Sequence, residues 1–597
     1  MTDPSPDPVP TPARSPVQIA LLAALVLALP TLLVPWVMDD WFILMTNAAW
    51  LGDESVHWWP ISATQVDPLG LPSSFCFSNG NPAETSRWIA EGVFPWWTDP
   101  DLRLCFWRPL ASVTHLFDQA LAGASAGLAH VHSVLWYLLL CAGVARFWDR
   151  RLGGKLAVLV ALVYAVDDAH AFPVAWVANR NALMAAAFGA WSMVFHDQGR
   201  RWPALGLLAL ALLSGEAGVG AIGLVVAWQL VYGEGSTPRR LLGAAPAVGL
   251  GLVWLVAYKL GGFGATASGL YIDPVGDPVR WMLTALAHAP VVSALMLAPM
   301  PADLLMADPS LLPLILGQSM VVLALVAWGV RRLWPSLEPA EQQAMRFGAL
   351  GFGLAVLPTL STVPTSRLVT LPGIAGAVVL AILVRAGLRE RKKDKVDRDR
   401  RVFGLGMFML VFHLVLSPLA WPALTAYLVG GDTAARTQLK LAAVALEGAE
   451  EAVLLVSSDP ALTVYLPDAA VAMCLSMPHW TTLSQTPGPH ELKRTGKRTL
   501  ELKALDEPMN QRPFAALYRS DRAEFIDGQV IVTDAYTVRV LETQAGQPVR
   551  VAVVFARDLD DPQLRLLRWD GEALVPVAPP SVGSAETLEW APGLTGM

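Results

Sequence analysis

The chain has 597 residues, of which only 16% are charged, and its mean hydropathy is +0.45. Soluble domains carry about 25% charged residues, so this composition excludes an ordinary soluble protein and indicates a membrane protein. The net charge of -7 argues against nucleic acid as a partner.

The chain begins with a proline-rich segment, residues 1–16, for which we predict a disordered cytoplasmic tail. An uncharged run follows at 17–38. As a helix it would extend over about 33 Å, enough to cross the hydrocarbon core, and it is too long for a cleaved signal peptide. We therefore predict a first membrane span there.

Further apolar runs alternate with basic clusters along the first two thirds of the chain. The runs lie near 128–147, 155–172, 179–197, 203–213, 216–233, 241–260, 282–299, 311–330, 345–361, 368–386 and 402–421. The basic clusters lie at 146–155, 200–201, 239–240, 331–332 and 389–401. Positive charge marks cytoplasmic segments, so the N-terminus and every basic cluster are predicted to be cytoplasmic.

Successive cytoplasmic clusters require an even number of crossings between them. The stretch 203–233 lies between the clusters at 200–201 and 239–240, so it should break at Ser214–Gly215–Glu216 into two short helices. Three apolar runs lie between the clusters at 239–240 and 331–332, so one of them, 282–299, should be re-entrant or interfacial and not a full span. The count becomes about eleven spans, with a transmembrane domain at 17–430 and a non-cytoplasmic soluble domain at 431–597.

This topology places scattered polar residues on the outer side of the membrane. They are Asp39, Asp40, Asp167, Asp168, Glu216 and Arg367. Each could simply cap a helix at the interface, and convergence of several on one side favours a site.

The first outer loop, 39–127, is unusually long for a connection. Its tryptophans suit a membrane interface or a sugar-stacking surface. Cys76 and Cys105 could form a disulfide in an oxidising compartment, which the spacing leaves open. After the loop, the apolar spacing around Arg108, His115 and Asp118 predicts an amphipathic helix on the membrane surface.

Several motifs resemble those of the GT-C membrane glycosyltransferases, especially the protein O-mannosyltransferase-like branch that carries tetratricopeptide tails. MDDWFIL with FWRPLASVTHLFDQAL resembles the opening of that branch, and VAWVANRNALMAAAFGA, LLSGEAGVGAIGLVVAW and TSRLVTLPGIAGAVVLA resemble its later motifs. The order is the same over roughly residues 17–390.

The resemblance implies an inverting transfer of sugar from a polyprenyl-phosphate donor to a glycan or protein acceptor on the non-cytoplasmic face. It also implies a bacterial inner membrane location with a periplasmic C-terminal domain. A carboxylate can act as general base for such an acceptor, and arginine suits a lipid phosphate. The catalytic candidates are Asp40, which we favour, and Asp39. The substrate-binding candidates are Arg108, Glu216, Arg367, Arg180 and His115.

Two positions depart from the family pattern, because Gly215 stands where it has lysine and Ser366 where it has glutamate. Asp167, Asp168 and His170 have the ligand types for a divalent cation, but three residues on one loop make an incomplete shell, which favours a hydrated loop. No other cofactor is indicated.

The sequence after the last predicted span indicates a helix at 432–450 and then strands, with Asp570–Gly571 as a hairpin turn. Asp459 is predicted to cap a helix, and tetratricopeptide repeats are absent from the sequence. The predicted fold is an α-helical polytopic membrane protein with an α/β or β-rich soluble domain. Two other functions stay open: a non-catalytic protein that binds lipid-linked glycan or organises envelope assembly, and a secondary transporter.

Overall fold

The computed structural model describes residues 15–53, 66–123, 125–473, 475, 478–510 and 512–594. The predicted tail at 1–16 lies almost entirely outside the described residues. Its first described residue, Ser15, caps the first helix, because its hydroxyl accepts the N–H of Gln18 at 3.3 Å.

Helices form most of the chain up to residue 445. They are α1 (Pro16–Ala28), α2 (Asp40–Trp50), α3 (Pro82–Ala90), α4 (Pro109–Ala122), α5 (Ala126–Leu152), α6 (Gly154–Ala165), α7 (Ala171–Ala175), α8 (Arg180–Asp197), α9 (Arg201–Ser214), α10 (Val219–Tyr232), α11 (Thr237–Leu260), α12 (Pro278–Leu295), α13 (Leu312–Leu333), α14 (Pro339–Val356), α15 (Gly373–Arg391), α16 (Arg400–Val411) and α17 (Ser417–Ala445), with α18 (Leu466–Ala472) and α19 (Pro513–Ala516) further on.

Six helical segments of the described chain are long and apolar enough to cross a membrane, or seven if one bent pair counts as a span. They are Pro16–Leu33, Ala126–Leu152, Thr237–Leu260, Pro309–Ser336, Pro339–Ser361 and Arg400–Ala442, and the bent pair is Gly154–Ala165 with Asp168–Ala175. The chain is an integral membrane protein, and the count of about eleven spans stays a prediction.

The predicted break between α9 and α10 is confirmed. Helix α9 ends at Ser214, and a short turn, Glu216–Gly218, leads into α10. Trp228 near the end of α10 donates to Asp197 at 3.1 Å, and α9 begins four residues after Asp197. Both helices therefore return to the same end of the bundle.

The basic clusters at that end are held by acidic partners. Arg150 pairs with Asp197 at 3.0 Å, and Arg332 pairs with Asp399 at 3.1 Å. Helix α4 exposes Val113, Phe117 and Leu121, which are spaced four residues apart and form one apolar face. This agrees with the predicted amphipathic surface helix.

The strands form three sheets. They are β1 (Cys76–Asn79), β2 (Arg103–Cys105), β3 (Gly264–Thr266), β4 (Glu451–Val456), β5 (His479–Ser484), β6 (His490–Arg494), β7 (Thr499–Ala504), β8 (Val530–Val532), β9 (Tyr536–Gln544), β10 (Gln547–Phe555), β11 (Leu564–Trp569), β12 (Leu574–Pro576) and β13 (Ala585–Leu588). The orders are β1-β2-β3, β13-β6-β7-β10-β9-β8 and β12-β11-β4-β5. Cys76 and Cys105 face each other on β1 and β2 and form a disulfide.

The β-rich C-terminal region is confirmed, including the hairpin at Asp570–Gly571, where Trp569 pairs with Leu574. The helix predicted at 432–450 is not separate. It continues α17, which runs through the predicted domain boundary at 430 to Ala445.

The C-terminal sheets pack on the first outer loop through buried tryptophans. Trp96 donates its indole N–H to the Leu483 carbonyl at 2.9 Å, and Trp97 donates to Ala515 at 3.2 Å. Both side chains are only 1% exposed, so they serve packing in place of the predicted interfacial or sugar-stacking roles. Trp58 and Trp59 of the same loop lie outside the described residues.

Candidate functional site

A cavity of about 620 Å³ opens where the first outer loop meets α8, α10, α11 and the segment before α15. Six charged side chains line this cavity: Asp39, Arg108, Glu216, Lys259, Asp273 and Arg367. Four of the residues that the sequence singles out therefore lie together, although they come from distant segments. Lys259 and Asp273 are additional.

The far wall of the cavity is apolar. It includes Ile222, Gly223 and Val226 on α10 and Leu354 and Ala355 on α14, two helices that pack directly against each other. These helices are among the apolar segments of the bundle. The cavity is therefore charged at one end and lipid-like where it enters the bundle.

Arg108 and Glu216 form an ion pair at the charged end. The Arg108 Nε lies 2.8 Å from Glu216 Oε2, and the Tyr258 hydroxyl donates to Glu216 Oε1 at 3.1 Å. The guanidinium also lies over the Phe75 and Phe106 rings. Arginine is thus fixed in place by charge and by cation–π contact.

Gly215 lies close to Asn181 and Arg108. A Cβ at this position would lie 3.1 Å from Asn181 Nδ2 and 3.7 Å from Arg108 Nε. A long side chain here, such as the lysine of the resembled motif, would have to displace these neighbours. The cavity carries its own lysine instead, Lys259, which is paired with Asp273.

Arg367 forms no ion pair with any residue that the structure describes. Its guanidinium lies over the Trp176 ring, with Cζ 4.9 Å from the ring centroid. Next to it, the Ser366 N–H donates to Asp303 at 3.2 Å. A carboxylate from a distant segment therefore lies beside the serine that stands where the resembled motif has glutamate.

The two opening aspartates face different surroundings. Asp39 lines the cavity, and Tyr465 donates its hydroxyl to Asp39 Oδ1 at 3.2 Å. Burial raises the pKa of Asp39, while the Tyr465 hydrogen bond and the charges of Arg367 and Arg108 act to lower it. A carboxyl with a raised pKa beside a cavity is typical of a general base.

Asp40 is buried, with 1% of its surface exposed, and both its oxygens accept backbone N–H groups. Val37 donates to Oδ2 at 3.0 Å and Ala178 donates to Oδ1 at 2.6 Å. Burial raises its pKa to about 8, against the lowering effect of these two hydrogen bonds. Asp40 does not line the cavity, so the geometry favours Asp39 over Asp40 as the reacting carboxylate.

Arg180 and His115 also lie away from the cavity, in a set of polar side chains that we call the buried cluster: Asp40, His115, Asp118, His132 and Arg180. Arg180 is fully buried, and its Nη1 lies 2.6 Å from Asp118 Oδ2. The other Asp118 oxygen is 2.8 Å from His132 Nδ1. Burial lowers the pKa of His115 well below its usual value, so this imidazole stays neutral. The structure therefore does not place either residue at the cavity.

The three candidate metal ligands do not converge. Asp167 accepts the Ala169 N–H at 3.0 Å, Asp168 accepts the Ser417 hydroxyl at 2.6 Å, and the His170 ring packs against Tyr164. Among the described residues, no three His, Cys, Asp or Glu side chains are grouped to hold a metal ion. The two carboxylates instead contact the Ala169 N–H, the Ser417 hydroxyl and His413, whose Nδ1 lies 3.6 Å from Asp167 Oδ2.

The chain was compared with known proteins. No family model and no curated protein matches it. One solved structure that overlaps with it is the Archaeoglobus fulgidus oligosaccharyltransferase tethered with an acceptor peptide, at 11% identity over 78% of this chain and 63% of that one, with a TM-score of 0.36. The chain thus spans less than two thirds of that enzyme.

A second overlap is with ArnT from Cupriavidus metallidurans bound to undecaprenyl phosphate. It is 14% identical over 92% of this chain and 99% of that one, with a TM-score of 0.34. Both TM-scores are low.

Proposed function

We propose that this protein is a GT-C-type glycosyltransferase that moves a sugar from a polyprenyl-phosphate donor to a glycan or protein acceptor on the non-cytoplasmic face of the membrane. The observation that carries the proposal is the cavity, which joins a carboxylate and two arginines to an apolar wall between membrane helices. Its volume of about 620 Å³ is within the range usual for ligand sites.

The shape of the cavity suits an amphipathic donor. The isoprenoid chain would lie against Ile222, Val226 and Leu354, where it stays in an apolar environment. The phosphate would lie at the charged end. A soluble nucleotide donor would leave the apolar wall exposed to water, which is why we favour a lipid carrier.

Arg367 is the residue we assign to the donor phosphate. Its guanidinium interacts with the charges of Asp39 and Asp303 but forms no ion pair with either, so its planar fork can turn to phosphate oxygens. Arg108 is already paired with Glu216, so it supplies a positive field with a fixed direction. Together they stabilise the charge that forms on the leaving phosphate.

Asp39 is the residue we assign as general base. It removes the proton of the acceptor hydroxyl as that oxygen bonds to the sugar C1. The bond between C1 and the phosphate oxygen breaks at the same time, and its electron pair leaves with the polyprenyl phosphate. Attack from the opposite face inverts the anomeric centre.

The positions of the outer loop and of the basic clusters indicate on which side of the membrane the cavity lies. The outer loop and the C-terminal sheets contact each other near the cavity, whereas the paired basic clusters lie at the other end of the bundle. By the positive-inside rule, the cavity would face the periplasm of a bacterial inner membrane.

The proposal is tested by incubating the purified protein with radiolabelled polyprenyl-phosphate sugars and following transfer of label to acceptors or water. Asp39→Asn should lower turnover about 10²–10⁴-fold, because the general base is lost. Arg367→Ala should weaken donor binding. The matched control is Asp101→Asn, the same substitution at an exposed position of the same loop, which should act like wild type.

The opposite outcome is equally informative. If a broad panel of donors binds but never turns over, and Asp39→Asn matches Asp101→Asn, the protein is a non-catalytic binder of lipid-linked glycan.

A further inference from the structure

The segment 459–472 of the C-terminal region reaches back to the membrane domain. Asp459 opens it, because its Oδ1 accepts the Ala461 N–H at 2.8 Å and its carbonyl accepts the Leu462 N–H at 3.1 Å. The N-cap position itself is Pro460, one residue after the predicted cap at Asp459, although the Asp459 side chain bonds the first N–H of the turn. The turn Ala461–Tyr465 then leads into α18.

Helix α18 packs on α2, the helix that begins at Asp40. Leu462 and Leu466 are fully buried at this contact region and belong to the same hydrophobic core as Phe42 and Met45 of α2. Burial of such side chains fixes the position of the turn. It also holds Tyr465 next to the start of α2.

Tyr465 reaches Asp39 from outside the cavity. Its hydroxyl donates to Asp39 Oδ1 at 3.2 Å, yet Tyr465 does not itself line the cavity. The two residues are 426 positions apart in the chain. The bond engages one carboxylate oxygen, and the other oxygen is the one that can take a proton from an acceptor.

We propose that Tyr465 is a positioning residue for Asp39, through which the C-terminal domain completes the catalytic site. This inference rests on the proposed function, since it assigns to Tyr465 a role in orienting the general base. The domain is then required for turnover even though the donor cavity is built by the membrane domain and its loops.

The bond has a chemical consequence as well as a geometric one. A hydroxyl that donates to a carboxylate favours its charged form, so Tyr465 lowers the pKa of Asp39 against the larger raising effect of burial. A general base works only when deprotonated. Loss of the hydroxyl should therefore raise the pKa of Asp39, so that Asp39 is deprotonated only at higher pH.

The test is the pH profile of sugar transfer by full-length Tyr465→Phe. Phenylalanine keeps the ring and removes only the hydrogen bond. We expect the acidic limb of the kcat profile to move to higher pH by roughly one unit. At low pH, kcat should fall about tenfold, and at high pH it should return to the wild-type value. Donor KM should stay unchanged. The control is Tyr427→Phe, at an exposed tyrosine of α17, which should leave the profile in place.

The outcomes separate this inference from the proposed function. If wild type transfers sugar and Tyr465→Phe lowers the rate equally at every pH, or not at all, Tyr465 has only a structural role and the inference is wrong while the enzyme assignment stands. If wild type transfers no sugar from any donor at any pH, the proposed function fails and the positioning role falls with it.

Discussion

Asp39 and Asp40 are neighbours in the chain, yet they belong to two different polar regions. Asp39 faces the cavity, where its partners are side chains: Tyr465 by hydrogen bond, and Arg367 and Arg108 by charge. Asp40 faces the buried cluster, where both its oxygens are taken by backbone N–H groups.

The difference teaches how the same residue type takes two roles. Side-chain partners at the edge of a cavity leave a carboxylate able to exchange a proton with a substrate. Backbone partners fix a carboxylate and tie two segments together, here the start of α2 and the turn before α8. The buried cluster therefore connects these two segments and keeps the wall of the cavity in position.

The largest effect on stability is expected when Arg180, the central cation of the buried cluster, is removed. Arg180→Met should lower the free energy of unfolding by about 3 kcal/mol, because the largely buried Asp118 loses its ion pair and keeps only the contact with His132. Chemical unfolding in detergent measures it, and activity should fall only in proportion to the folded fraction.

The double variant Arg180→Met with Asp118→Asn is the matched control. It removes both charges, so most of the lost stability should return. If Arg180→Met stays folded but loses donor binding, Arg180 contacts substrate and the buried cluster is part of the site.

A smaller effect is expected at Asp40. Asp40→Asn places an NH₂ group against a backbone N–H, which should lower the free energy of unfolding by about 1–3 kcal/mol. The folded pKa of Asp40, about 8, lies far above the ordinary value of an aspartate in the unfolded chain, about 4. The folded state of wild type therefore holds this proton longer than the unfolded chain, and its stability falls as pH rises from about 4 to about 8.

The asparagine variant lacks this titration, so the stability gap between it and wild type should narrow across that pH range. Paired denaturation curves at several pH values measure the gap. A gap that stays constant with pH would show that Asp40 is already ionised in the folded state.

The sequence predicts the features that depend on a local sequence pattern or on the even number of membrane crossings between cytoplasmic clusters. The break at Ser214–Glu216 follows from arginines at both ends of 203–233, and the hairpin at 570–571 follows from Asp-Gly. Parity of crossings also predicts that Asp39, Glu216 and Arg367 share one side, and the structure places them around one cavity.

What the sequence misses depends on contacts between distant segments. Tyr465 ends the helical turn Ala461–Tyr465, Asp303 lies in the short 3₁₀ helix Ala302–Met306, and Lys259 lies at the end of an apolar helix. Nothing near any of them in the chain indicates its neighbours. Likewise, the choice between Asp39 and Asp40 turns on which direction each side chain takes at the start of α2, and adjacent residues of a helix point in different directions.

The smallest effect is expected inside the cavity, at Glu216. This side chain is partly exposed, so Glu216→Gln should change the free energy of unfolding by no more than about 1 kcal/mol. The glutamine carbonyl can still accept the Tyr258 hydroxyl, but Arg108 loses the charge that balances it.

An unbalanced Arg108 should attract the donor phosphate more strongly and lower donor KM about two- to fivefold, with little change in kcat. Steady-state kinetics beside Glu234→Gln, an exposed glutamate at the other end of α10, measure the effect. A raised KM would mean that Glu216 itself binds the sugar. The ion pair of the cavity would then open during binding instead of holding Arg108 in place.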